Sequence, residues 1–198
     1  MISPMWWIKP TPTEQDAPEE VRSAWERATA KLGFLPNVQR LYALRPKRYL
    51  EWLAHYEDVM RGESGLSVLE REMIALVVSD LNDCNYCLTS HSAYLRVLSG
   101  DPGLPDRLRA NANAAAPNDR VRAILGFAAK ATRDAHGCTP EDLDHLRAVG
   151  LGEEEIFDVV ETAAMFNFTN RLTSALGMVP NRDFDTMGRR ALTETQPH

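Results

Sequence analysis

Hydrophobic residues recur along the chain mainly three and four positions apart, the spacing that places side chains on one face of a helix. Tyr49, Leu53, Tyr56 and Met60 follow this spacing within one predicted helix. We find no convincing stretch of alternating polar and hydrophobic residues bounded by hairpin turns, which is typical of strands. The pattern therefore predicts an all-α fold.

Proline and glycine mark the ends of several predicted helices. Pro18 and Gly33 bound the first one, predicted over residues 18–32, because proline is favoured at the first helical position and glycine just beyond the last. Further helical patterns occupy, approximately, residues 46–61, 67–81, 84–99, 105–112, 119–135, 141–149 and 153–176.

Two helices in the middle of the chain have clear boundaries. Ser67 and Glu70 form a capping box ahead of a mainly apolar helix that ends near Leu81, so this helix should be deeply buried. Asp83 is the predicted N-cap of the next helix, which Gly100 ends. This arrangement predicts that the two cysteines just after Asp83 lie in the first helical turn.

The length of the chain fits a single domain. We divide residues 1–198 into an N-terminal arm (1–17), a core (about 18–180) and a C-terminal tail (181–198), which we expect at the surface. Trp6 and Trp7 are too apolar to be left in water without cause, so we expect them to pack on the domain or on another subunit.

Composition narrows the class of protein. Hydrophobic residues make up 44% of the chain and charged residues 25%, as in packed globular proteins. The formal net charge is −6 and lysine and arginine are scattered, which argues against nucleic-acid binding. No apolar run approaches the roughly 20 residues of a membrane-spanning helix, and the N-terminus lacks a signal-peptide pattern, so we expect a cytoplasmic protein with free thiols.

The segment DCNYCLTSH carries the candidate chemistry. Cys84, Cys87 and His91 are three and four positions apart, so they form one stripe on a helix. The positive end of the helix dipole and a nearby imidazole can both favour the thiolate, which is the nucleophile. Glu72 lies on the preceding buried helix and needs a partner, for which His91 is suited. These residues predict a glutamate–histidine–cysteine proton relay.

Other interpretations of these residues remain open. Cys84, Cys87, His91 and Glu72 could together bind zinc, although cysteines one helical turn apart lack the loop that usually surrounds a structural zinc. Cys138 has no cysteine nearby and is interpreted as incidental. The remaining histidines lack a comparable set of neighbours and are interpreted as surface or packing residues; they are His55, His136, His145 and His198.

A second segment repeats the spacing of the four candidate residues, which suggests a duplicated helical unit in which only the first copy kept its chemistry. The corresponding residues are Glu155, Asn167, Asn170 and Ser174. Asn167 and Asn170 would then either line the pocket or tie helix ends together.

The pattern of Glu72, eleven residues, Cys84-x-x-Cys87, three residues and His91 resembles the AhpD-like alkylhydroperoxidase branch of the carboxymuconolactone decarboxylase family. LGFLPNVQRLYALRPKRYL and AAMFNFTNRLTSALG resemble its peroxidase-related subgroup, and the likeness covers about residues 33–180. The resemblance implies a helical bundle that oligomerises, commonly as a trimer or hexamer. It also implies Cys87 as peroxidatic cysteine, Cys84 as resolving cysteine and Glu72 with His91 as proton relay, without metal or cofactor.

The activity implied is reduction of alkyl or hydrogen peroxides through a disulfide that an external lipoyl or thioredoxin-type thiol resets. One position departs from the best-characterised hydroperoxidases, because Tyr86 replaces a second histidine. A phenol can donate a hydrogen bond but cannot act as a base near neutral pH. Two alternatives stay open: a non-redox decarboxylase-like enzyme, and a redox-sensing or zinc-binding protein without turnover.

Overall fold

A computed structural model describes residues 5–8 and 13–189, and within these ranges the regular secondary structure is entirely helical. The all-α prediction is therefore confirmed. A short 3₁₀ turn, Ala135–Gly137, precedes the eighth helix. The helices are α1 (Glu19–Leu32), α2 (Asn37–Tyr42), α3 (Pro46–Arg61), α4 (Val68–Leu81), α5 (Asn85–Ser99), α6 (Leu104–Ala115), α7 (Asp119–Arg133), α8 (Pro140–Ala148), α9 (Glu153–Ala175) and α10 (Asp183–Thr186).

Helix α4 forms the centre of the bundle and packs against α5, α7 and α9. Its residues from Arg71 to Ser79 are all buried, as the apolar sequence predicts, because a helix that is apolar on most sides needs neighbours on most sides. The predicted capping box fixes where it begins. The amide of Glu70 donates to Ser67 Oγ at 3.2 Å, and the amide of Ser67 donates to Glu70 Oε2 at 2.7 Å.

The turn between α4 and α5 differs from the prediction by one residue. Asp83 is not the N-cap, because its backbone adopts the left-handed region with φ 49°, which aspartate tolerates better than most residues. Cys84 is the N-cap instead, and its amide donates to Ser79 O at 3.0 Å. The tight reversal therefore places Cys84 just before the first turn of α5 and Cys87 within it.

The described residues of the predicted surface tail, 181–189, are exposed or half-buried except for Phe184. Phe184 on α10 is only 1% exposed, and Arg96 of α5 donates to Phe184 O at 2.7 Å and to Met187 O at 2.8 Å. Phe184 stands among polar residues in the sequence, so its burial was not predicted. Residues 190–198 lie outside the described ranges.

The described part of the N-terminal arm runs along the end of α9. The amide of Trp7 donates to Leu176 O, and the amide of Val179 donates to Met5 O, both at 2.9 Å. Trp6 is buried as expected, whereas Trp7 is 72% exposed. The Trp7 indole lies against Gly177, so closely that a Cβ there would overlap the ring.

The proposed duplication is not supported at the predicted register. Residues 155–174 lie within the single helix α9, whereas Glu72 and Cys84 are separated by the turn between α4 and α5. Equal spacing in sequence thus corresponds to two different backbone arrangements. Separately, none of the described helices has the length and apolarity needed to cross a bilayer.

Candidate active site

The two cysteines of the predicted dithiol are both buried and both free. Thr173 on α9 contacts both of them: its Oγ1 lies 3.1 Å from Cys84 Sγ and 3.7 Å from Cys87 Sγ. Thr173 was not predicted, because a threonine within a long helix carries no signal of its own in the sequence. The structure therefore adds a buried hydroxyl to the candidate dithiol.

The two thiols differ in acidity. A hydrogen bond from the Cys87 thiol, supported by hydroxyls of Thr173 and Ser174, lowers the pKa of Cys84 to about 5 in spite of burial. The same hydrogen bond, together with burial and the charge on Cys84, raises the pKa of Cys87 well above its ordinary value. In the reduced pair the negative charge therefore resides on Cys84 and the proton on Cys87.

Glu72 and His91 meet as the sequence predicted. The distance from His91 Nδ1 to Glu72 Oε2 is 2.6 Å, and Arg61 at the end of α3 donates from Nη2 to the other carboxylate oxygen. Burial alone would raise the pKa of Glu72, but attraction to and hydrogen bonds from His91 and Arg61 lower it. An ionised Glu72 accepts the Nδ1 proton, which leaves Nε2 of His91 free to accept another.

Arg61 is a site residue that the sequence analysis missed. Its guanidinium also lies over the ring of Tyr94, 5.9 Å from the ring centroid. The signal available in the sequence was indirect: a buried carboxylate needs more than one partner, and Arg61 is the last residue of the helix before α4. The need for a second partner does not by itself single out Arg61 among the arginines of the chain.

A small cavity, the aromatic cavity, borders Cys87 and His91 but not Cys84. Its volume is about 50 Å³, whereas a buried water needs roughly 10–15 Å³. It can therefore hold a few waters or one compact polar group. Six aromatic side chains contribute to its wall: Trp52, Tyr56, Tyr86, Tyr94, Phe166 and Phe184.

Tyr86 occupies the position where related hydroperoxidases have a second histidine. Its hydroxyl accepts a hydrogen bond from the amide of Val38 at 3.1 Å, and burial raises its pKa well above the ordinary value. The phenol therefore stays protonated at neutral pH and cannot serve as a base. Its structural position makes it a wall residue that also fixes the start of α2.

A second opening, the arm-side depression, has a volume of about 270 Å³. Thr173 and Ser174, the hydroxyl residues that hydrogen-bond to Cys84, form part of its lining. Tyr86 lines both openings and so lies between them. The depression is lined by Trp7, Asp83, Asn85, Tyr86, Thr173, Ser174, Gly177 and Met178.

The two asparagines singled out in the sequence have different surroundings. Asn82 Nδ2 donates to Asn167 Oδ1 at 3.1 Å and to Asn170 Oδ1 at 3.0 Å, which ties the end of α4 to α9. Asn170 also hydrogen-bonds to Ser79 and to the thiol of Cys87. Asn167 is thus a helix tie, and Asn170 is both a tie and a neighbour of the dithiol.

The remaining candidates are not part of this arrangement. The Cys138 thiol contacts Asp134 O at 3.8 Å in the turn before α8, and neither opening includes it. Three of the other histidines, His55, His136 and His145, are exposed, and His198 lies outside the described ranges.

Zinc binding by the dithiol, His91 and Glu72 is not supported by the donor geometry. Both oxygens of Glu72 are engaged, one by His91 and one by Arg61. Over residues 5–8 and 13–189, no three or more histidine, cysteine or carboxylate side chains converge as metal ligands would. Glu72 is paired with His91 and Arg61, and the two thiols contact Thr173.

Residues 47–129 match the family model described as the carboxymuconolactone decarboxylase family. A peroxidase-related protein from Ralstonia eutropha JMP134, described as an alkylhydroperoxidase AhpD core, is 33% identical with a TM-score of 0.91, covering 95% of this chain and 98% of that one. A peroxidase-related protein from Silicibacter sp. TM1040 is 40% identical with a TM-score of 0.85, covering 96% and 95%.

A more distant structural likeness extends to the debrominase Bmp8, at 20% identity and a TM-score of 0.74, covering 89% of this chain and 94% of that one. At that identity the likeness concerns the fold alone. No curated protein matches the sequence.

Proposed function

The chain belongs to the carboxymuconolactone decarboxylase family, in its AhpD-like branch, and on that premise we propose that it is a thiol-dependent peroxidase of alkyl or hydrogen peroxides. One observation carries the proposal: Cys87 and His91 border the same small cavity, and Glu72 holds the imidazole from behind. A peroxide in this cavity would meet the sulfur nucleophile and a proton carrier together.

In the oxidative step, Cys87 gives its proton to His91 Nε2 and its sulfur attacks the terminal oxygen of the hydroperoxide. The O–O bond breaks, the protonated imidazole returns the proton to the leaving alkoxide, and an alcohol departs. Cys87 is left as a sulfenic acid, oxidised by two electrons. Because Cys87 holds its proton in the reduced pair, the step needs the base that His91 supplies.

In the resolving step, the Cys84 thiolate attacks the sulfenic sulfur of Cys87. The new Sγ–Sγ bond forms and hydroxide leaves as water after taking one proton. The hydroxyl of Thr173 contacts both sulfurs and keeps them side by side. An external thiol donor then reduces the disulfide by thiol exchange.

Glu72 and Arg61 act through His91. The carboxylate fixes the imidazole tautomer so that Nε2 is the nitrogen that can accept a proton, and His91 with Arg61 keeps the carboxylate ionised in a buried position. Arg61 is thus the proposed fourth member of the relay predicted from sequence, next to Glu72.

A homo-oligomer is part of the proposal. Helix α9 exposes Phe157, Val160 and Phe168 on the side away from the core, with exposed fractions of 62%, 41% and 55%. A helix that is apolar on both sides is usually buried on both sides, so a second copy is a suitable cover. The free thiols also suit a reducing compartment such as the cytoplasm.

A thiol count with intact mass, before and after one equivalent of tert-butyl hydroperoxide, tests the function. We expect two thiols and about two mass units to be lost, with the new bond mapped to Cys84 and Cys87. Repeated turnover with a dithiol donor would separate an enzyme from a redox sensor. If the thiols survive the peroxide, the peroxidase proposal fails and a non-redox activity of the decarboxylase type becomes the better explanation.

A further inference from the structure

We propose that the thiol donor reaches the Cys84–Cys87 disulfide through the arm-side depression rather than through the aromatic cavity. The inference rests on the dithiol cycle proposed above. It assigns the two substrates of that cycle, peroxide and reductant, to two separate entrances.

The two entrances differ in size. The aromatic cavity measures about 50 Å³ and the arm-side depression about 270 Å³, while pockets for small organic ligands usually begin near 300 Å³. A dithiol donor must bring two sulfurs and a carbon chain to the protein. Only the depression approaches the size that such a donor needs.

The two entrances also lead to different sulfur atoms. Thr173 lines the depression with its Oγ1 3.1 Å from Cys84 Sγ, and Asp83 and Asn85 on either side of Cys84 line it as well, so this sulfur lies beneath the depression. Cys87 lines the aromatic cavity instead. A donor in the depression therefore attacks Cys84.

The rim of the depression is held in place. Trp7 is 72% exposed, yet its amide donates to Leu176 O at 2.9 Å and its ring rests on Gly177. Fixed, exposed indoles are typical of surfaces that contact a partner, because the ring offers a large apolar area with little loss of rotamer freedom. Together with Met178, Trp7 provides an apolar edge for the carbon chain of a donor.

Charge defines the class of donor. The depression contains one carboxylate, Asp83, and no lysine or arginine among its lining residues. An anionic thiol such as glutathione would meet a negative side chain without a compensating positive one. The lipoyl-type donor that the resemblance implies, an uncharged dithiol with a hydrocarbon chain when it is an amide, fits both the apolar edge and the charge.

Reduction of the disulfide proceeds in two exchanges. One donor thiol loses its proton to water, and its thiolate attacks Cys84 Sγ; a mixed disulfide forms, the Sγ–Sγ bond breaks, and Cys87 leaves with the electron pair and takes a proton from water through His91. The second donor thiol loses its proton to water and attacks the donor sulfur of the mixed disulfide, which releases Cys84 as a thiolate. The donor loses two electrons and becomes a cyclic disulfide.

The test measures disulfide reduction on full-length protein oxidised with diamide, so that no peroxide is involved. Rates with dihydrolipoamide are compared for the parent, Trp7→Ala and Ser174→Trp, with Leu98→Ala as a control truncation of an exposed apolar residue elsewhere. We expect the first two variants to be reduced about tenfold more slowly and Leu98→Ala at the parent rate. A monothiol trapped on the parent should map to Cys84.

Two further readouts make the result decisive. Oxidation of Trp7→Ala by tert-butyl hydroperoxide should stay within about twofold of the parent, since the aromatic cavity is untouched. Glutathione should reduce the disulfide more slowly than dihydrolipoamide at equal thiolate concentration. Unchanged reduction in both variants, or a mixed disulfide on Cys87, would overturn the proposal. Failure of peroxide oxidation alone, with diamide oxidation intact, would instead overturn the peroxidase function.

Discussion

The two sides of the dithiol are built differently. On one side, Cys87 borders a small aromatic cavity with His91, and on the other, residues next to Cys84 line a wider depression together with Trp7 of the N-terminal arm. The pKa of the sulfur at the cavity is raised, while the pKa of the other sulfur is lowered. Access and ionisation are thus divided between two cysteines one helical turn apart.

This division explains why a C-x-x-C pair at a helix start still needs a base. The hydrogen bond from Cys87 and the hydroxyl of Thr173 favour a thiolate at Cys84, and the hydrogen bond and charge of Cys84 make deprotonation of Cys87 harder. His91, held by Glu72, stands on the cavity side where the proton must leave. Several substitutions should test the difference between the two sulfurs.

The largest effect is expected from removing either sulfur. Cys87→Ser should lower multiple-turnover peroxide consumption at least a thousandfold, about the loss of a catalytic nucleophile. Cys84→Ser should still be oxidised once, and its sulfenic acid should be trapped by dimedone at Cys87. Cys138→Ser is the control and should keep the parent rate. Sustained turnover in Cys87→Ser would mean that the wrong sulfur has been assigned to the cavity side.

Glu72→Gln tests the proton relay with an isosteric change. The amide cannot balance Arg61 or fix the His91 tautomer as the carboxylate does, so oxidation by peroxide should slow about a hundredfold. Loss of the buried pair should cost about 2–3 kcal/mol of unfolding free energy, below the usual upper range because Arg61 is 31% exposed and can be hydrated. Chemical denaturation and stopped-flow oxidation give the two quantities.

The contribution of Glu72 to the stability of the fold should change with pH in a defined direction. The pKa of Glu72 is lowered in the folded protein, so its stabilising contribution is present above the ordinary carboxyl pKa and is lost as pH falls through the folded value. The parent should therefore lose stability relative to Glu72→Gln as pH falls below about 4.5, because the carboxyl of the unfolded chain takes up a proton there before the folded one does. Glu57→Gln, an exposed change on α3, should follow the parent at every pH. A constant difference between parent and Glu72→Gln would contradict the assignment.

The sequence predicted what depends on neighbouring residues. The stripe of Cys84, Cys87 and His91 follows from helical spacing, and the pairing of Glu72 with His91 follows from the cost of burying a carboxylate alone. The N-cap of α5 was predicted one residue too early, at Asp83, because the start of a helix is uncertain by one or two residues and the left-handed backbone of Asp83 is not visible in the sequence.

The rest of the site depends on contacts between distant segments. Arg61, Thr173, Phe184 and Trp7 come from α3, α9, α10 and the N-terminal arm, and each needs the complete bundle to reach the dithiol. Helical periodicity specifies which face of a helix is apolar but not which residue of another helix it meets. The division between the two sulfurs therefore could not be seen in the sequence.

The unequal acidity of the thiols is open to direct titration. Thiolate absorbance at 240 nm in the parent should rise with an apparent pKa near 5 for one sulfur, the value to which the hydrogen bond from Cys87 lowers Cys84. In Cys84→Ser the main cause of the raised pKa of Cys87 is gone, so that thiol should ionise at lower pH than in the parent. Equal titration of Cys87 in both proteins would show that burial, not Cys84, controls it.

The smallest effect is expected at Gly177, which supports the depression from beneath. Gly177→Ala places a Cβ against the Trp7 ring at a residue with φ 62°, so it should cost about 1–2 kcal/mol of unfolding free energy and increase the exposure of Trp7. Gly126→Ala is the matched control: this residue lies inside α7 and a Cβ there meets nothing within 4 Å, so the change should stabilise by about 0.5–1 kcal/mol. Tryptophan fluorescence and denaturant midpoints distinguish the two. Because Gly177 contacts the arm and not the aromatic cavity, its substitution should slow disulfide reduction and leave peroxide oxidation unchanged, which a general loss of packing would not do.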